Sequence, residues 1–93
     1  METIDFSIVV NMFAMEGMVA LGKLKHPATQ TLERNLDHAK FTIDVLSVLQ
    51  DKTANNLDPQ EKSLLEQTLS TLRLSYVQEL SADSIDTGVT DAQ

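Results

Sequence analysis

The chain contains no cysteine, which excludes disulfide staples and thiolate metal sites. The exclusion matters at this size. A single domain of 93 residues removes a smaller share of its surface from water than a larger one does, so burial only narrowly outweighs the entropy of ordering the chain. With no disulfide to help, oligomerisation is the device left to complete the core.

Positive charge is also scarce. Seven Lys and Arg stand against fourteen Asp and Glu, a net charge of −7. That is the wrong sign for gripping phosphate backbones or anionic lipid headgroups, so nucleic acid is not an expected partner. Nor is there a long uninterrupted apolar run. The best stretch, residues 6–22 (FSIVVNMFAMEGMVALG), is broken by Asn11 and Glu16, whereas a membrane span needs roughly 20 apolar residues. The start, Met1-Glu2-Thr3-Ile4-Asp5, lacks the positive region that opens a secretory signal. A cytoplasmic protein is expected. No catalytic, metal-binding or nucleotide-binding pattern is present, and no cofactor is expected.

The pattern that is present is helical. Residues 6–22 are apolar around almost the whole circumference of a helix, opened by Asp5 or Ser7 as cap and stopped by Gly22 with Lys23 and Lys25 behind it. A chain this small cannot enclose such a rod, so a second copy is expected to cover part of it. Residues 23–34 carry Pro27 and no sustained periodicity; they form a long loop expected to lie against the core or a partner. A second helix runs from a cap at Asn35 to about residue 52. Asp37, Lys40, Asp44, Ser47 and Asp51 fall in one polar wedge, with Leu36, Ala39, Ile43 and Leu46 on one flank and Phe41, Val45, Val48 and Leu49 on the other. That apolar arc is wider than one neighbour requires.

Asn55 and Asn56 lie in a tight turn, since asparagine tolerates the left-handed conformation. A third helix follows over residues 58–80, with Asp58 as cap, Pro59 at the first helical position and Glu61 completing a capping box. It forms an antiparallel hairpin with the second. Its stripe is Leu65, Leu69, Leu72, Tyr76 and Leu80, with Leu74 and Val77 off that face. Residues 81–93 are acidic, lack basic side chains and have almost nothing to bury, so a disordered tail is expected.

Each candidate site has a plain alternative. Glu16 would be a raised-pKa carboxylate if buried, but the water-facing sliver near Asn11 and Ser7 is the expected place for it. His26 and His38 lack ligand spacing and read as surface histidines. Arg73 and Tyr76, three apart on one helix, can meet on a common face and are residue types enriched at interfaces; a tyrosine at the core margin beside a solvated arginine is the other reading. The interface candidates are Met12, Met15, Val19, Arg73, Leu74, Tyr76 and Val77.

Ala20-Leu21-Gly22, Pro27, Ala39-Lys40, Ile43-Asp44, Leu46, Leu49, Lys52-Thr53, Asn56-Leu57, Glu61, Leu64-Leu65, Leu69, Leu72-Arg73 and Tyr76-Val77 together resemble a small bacterial family, domain of unknown function 1844. The resemblance runs from about Phe6 to Tyr76. The family's turn usually has glycine where this chain has Asn55, and its loop often reads Thr-Gly where this chain has Thr29-Gln30. The resemblance implies a short all-helical cytoplasmic bacterial protein and transfers no catalytic residue.

The expectation is therefore an all-α, three-helix domain over residues 1–80, in which helices 2 and 3 form a hairpin and a very apolar helix 1 is completed by dimerisation. Its expected role is non-catalytic interaction or assembly as a homo-oligomer, with a dimer the simplest form and an unidentified protein as a further partner. The alternative is an apolar-ligand or lipid-binding module with a cavity between helices 1 and 2. An enclosed cavity above about 300 Å³ favours the ligand, and a close-packed two-fold seam favours assembly.

Overall fold

Each helix begins where a side chain takes the place of a missing backbone acceptor. In the computed structural model, which describes residues 4–92 and their side chains to residue 82, the Oδ1 of Asp5 accepts from the Ser7 backbone amide at 3.0 Å and from its hydroxyl at 2.6 Å. This opens α1 (Phe6–Ala20). The Ser7 hydroxyl also holds the Asp5 carboxyl below its usual range. Asn35 caps α2 (Leu36–Lys52) by accepting from the His38 amide at 3.1 Å. At α3 (Pro59–Ala92) the box is reciprocal: the Glu61 amide donates to Asp58 Oδ1 at 2.8 Å, and the Asp58 amide donates to Glu61 Oε1 at 3.0 Å. No strand occurs among the described residues.

Two boundaries differ from the sequence reading. α1 stops at Ala20 rather than residue 22, because Leu21 is already the cap and Gly22 takes a φ of 80°. Gly22 N then donates to Val19 O and Lys23 N to Met18 O, the paired bonds of a glycine-closed helix end. α3 does not stop at Leu80. Its backbone stays helical to Ala92 where a disordered tail was expected from residue 81; Gln93 lies outside the described residues. Between Pro59 and Gly88 there is no proline or glycine to end the helix, and extending an existing helix costs far less than starting one. A helix of 34 residues is about 50 Å long, so α3 alone accounts for the 53 Å long axis of the molecule.

All three helices pack on one another. The core is Val10, Ala20 and Leu21 from α1, Ala39, Ile43 and Leu46 from α2, and Leu65, Leu69 and Leu72 from α3. These include most of the stripes read from the helical period on α2 and α3. α2 and α3 form the expected antiparallel hairpin across the turn at residues 53–58. Thr42 is the one buried polar side chain among the described residues, and its hydroxyl donates to the His38 carbonyl one turn back at 3.0 Å.

The loop between α1 and α2 is held at both ends. Asn35 N donates to Ala20 O at 2.8 Å, and Lys23 and Arg34 both reach Glu79 of α3, at 2.9 and 2.8 Å. These pairs hold the Glu79 carboxyl below its usual range, the Arg34 bond contributing most. The loop is thus tied down at its two ends rather than free, although all of its side chains but that of His26 stay exposed.

Candidate functional site

Three side chains named from the sequence, Met12, Met15 and Val19, share one face with Ile8. Their steps of four, three and four residues set them in a line, opposite Val10 and Gly17, which face the core. Met12 is 67% exposed and Met15 60%; Ile8 and Val19 are half-buried. No charged residue interrupts the line. The all-round apolar character of α1 therefore resolves into a buried side and an uncovered one.

Beside this ridge lies an open groove of about 700 Å³ between α1, the loop and the start of α2, with Met15, Val19, Ala20 and Pro27 in its walls. It is not an enclosed cavity. Glu16 and His38 meet across it, Oε2 to Nε2 at 2.9 Å, with side chains 47% and 43% exposed. The Thr42 hydroxyl approaches the same carboxylate oxygen at 3.5 Å, and the His38 ring stacks on Phe41 with centroids 5.8 Å apart. Glu16 is thus half-exposed, as expected, but at the groove rather than beside Asn11 and Ser7, which lie round the other side of the helix. It also has a histidine beside it that the sequence did not align with it. The half-exposed Glu–His pair links α1 to α2.

The other titratable groups of the groove are occupied locally. His26 Nδ1 accepts from the Ala28 amide at 3.1 Å. Glu33 accepts from the hydroxyls of Thr29 and Thr31, which hold its carboxyl below the usual range, Thr29 contributing most. Among the described residues no three His, Cys, Asp or Glu side chains gather closely enough to hold a metal ion. No helix among them is long and apolar enough to cross a membrane.

The candidates on α3 separate. Leu74 and Val77 are exposed, facing away from the core. Arg73 turns to α2 and donates to the Ser47 hydroxyl at 3.3 Å, while Tyr76 packs against the core cluster. Arg73 thus meets α2 while Tyr76 is half-buried at the core margin. One apolar flank read from the sequence was not counted among the interface candidates: Phe41 and Val48 of α2 are 59% and 58% exposed. The signal for it was the excess width of the apolar arc on that helix.

A family profile described as Domain of unknown function (DUF1844) matches residues 3–78 of the chain. No curated protein and no solved structure matches it significantly.

Proposed function

The chain belongs to the family described as Domain of unknown function (DUF1844), and from the outward stripe of α1 we propose that it is a non-catalytic assembly protein that self-associates through that helix. The observation that carries the reading is the uncharged line Ile8, Met12, Met15 and Val19, uncovered beside a groove. A spacing of four and three residues is that of a helix–helix seam. A two-fold axis brings the same patch from each copy together, so the ridge of one α1 can enter the groove beside the other. Methionine side chains adapt to such a fit. A stable interface takes about 800 Å² from each partner, more than four side chains supply, so the groove walls belong to the seam as well.

The groove also supports a second reading, a small apolar ligand, by its volume and its apolar walls. Self-association is the better reading because the groove is open rather than enclosed and is continuous with the exposed methionine ridge. The bacterial, cytoplasmic setting is part of the same reading and rests on the family resemblance.

Light scattering of the full chain across micromolar concentrations tests the reading. A dimer or higher oligomer is expected, reduced to monomer by Met15→Lys, which places an unpaired charge in the seam. A stable monomer for the unmodified chain overturns it. Saturable binding of a fluorescent fatty acid by the chain, with no change in mass on Met15→Lys, favours the ligand instead.

A further inference from the structure

The outward face of α2 takes no part in the α1 seam. Phe41 and Val48 lie seven residues apart and exposed, with half-buried Val45 between them. At 100° per residue this row is opposite Ala39, Ile43 and Leu46, so the core cannot reach it. Alongside it, on the side towards α3, run Asp37, Asp44 and Asp51, also at seven-residue steps and all exposed. Lys40 pairs with Asp44 at 2.9 Å. Asp37 and Asp51 make no ion pair among the described residues.

We propose that this face docks a basic amphipathic helix of another protein, laid along α2 with its apolar side chains over Phe41, Val45 and Val48 and its Lys or Arg side chains over the aspartate row. The charge row selects the occupant. A second copy laid antiparallel on the same face would set Asp37, Asp44 and Asp51 against their own counterparts. Only Lys40, already paired with Asp44, and Lys52 at the far end would offset them, and like charges across an interface oppose association. An anionic membrane is repelled by a chain of net charge −7. A wholly apolar partner would strip water from Asp37 and Asp51 and give no counter-charge in return. A helix carrying apolar residues on one side and a basic residue once per seven matches both rows in register.

The test is anisotropy of a labelled leucine–lysine amphipathic peptide of about 18 residues titrated with the full chain, beside a scrambled peptide of the same composition. Saturable binding is expected, at least tenfold tighter than the scrambled peptide and weakened at least tenfold when salt rises from about 20 to about 300 mM. Asp37→Asn with Asp51→Asn is expected to weaken it at least tenfold, as is Phe41→Ser with Val48→Ser, whereas Leu74→Ser on α3 leaves it unchanged. Equal binding of the scrambled peptide, no saturable binding at low salt, or full binding by the aspartate variant overturns the proposal. The aspartate pair decides if the Phe41 and Val48 variant fails to fold. If that apolar variant instead dissolves the oligomer, the face belongs to a second copy and the proposal fails, separately from the Met15→Lys result.

Discussion

Gly17 of α1 lies so close to Leu72 of α3 that a β-carbon on it would stand 2.9 Å from Leu72 Cδ2 and 3.1 Å from Cδ1. Leu72 is itself buried in the core. The absent side chain is what lets α1 approach α3, and the helix tolerates glycine there although glycine is a poor helix former. Gly17→Val is expected to destabilise the fold by about 1–3 kcal/mol through overpacking. Denaturant unfolding checks this; a variant as stable as the parent would mean that Leu72 swings aside freely.

The clamp at Glu79 predicts an acid-sensitive loop. Arg34 and Lys23 favour the charged carboxylate and lower its pKa, so the stabilisation is fully present above the ordinary glutamate range and is lost as pH falls through the lower folded value. Amide exchange in residues 23–34 should stay slow to below the usual glutamate pKa and then rise. In Glu79→Gln it should be fast at neutral pH as well, because the neutral amide cannot hold two cations. Unchanged exchange in that variant would show that the Asn35–Ala20 backbone bond fixes the loop alone.

Asp58 and Glu61 satisfy each other's amides at the start of α3. Asp58→Ala should cost about 1 kcal/mol, the usual loss for such a cap, while light scattering shows the oligomer unchanged. Loss of a partner without loss of stability would make the turn a recognition site instead.

Gln30 and Asn55 are the two non-glycine residues with positive φ among the described residues, at 61° and 68°. They stand where the resembled family often has glycine. Asparagine is at ease in this conformation; glutamine is less so, and is held by its amide donating to the Pro27 carbonyl at 2.9 Å. Gln30→Val should cost about 1–2 kcal/mol, since a branched residue is strained there, whereas Gln30→Gly should fall within about 1 kcal/mol of the parent. Thermal unfolding of the two variants separates strain from the lost hydrogen bond: equal losses would assign the effect to the bond.

Much of this architecture is local chemistry and was legible along the chain. Asp5, Asn35 and the Asp58–Glu61 box cap their own helices within three residues, and Leu65, Leu69 and Leu72 align by the period of the helix alone, so three helices and a hairpin follow without knowledge of the fold. The end of α3 did not follow, because composition after Leu80 speaks of burial while helix extension needs none: no glycine or proline interrupts it before Gly88, and the helix runs through that residue to Ala92. The candidate surface was half legible. Met12, Met15 and Val19 could be named because α1 is too apolar for a small chain to cover. Which side of α1 remains bare depends on where α2 and α3 pack, and so do the meeting of Glu16 with His38, 22 residues apart, the contact of Arg73 with α2, and the exposure of Phe41 and Val48. Periodicity assigns residues to faces of one helix; only contact with the other helices determines which of those faces water still touches.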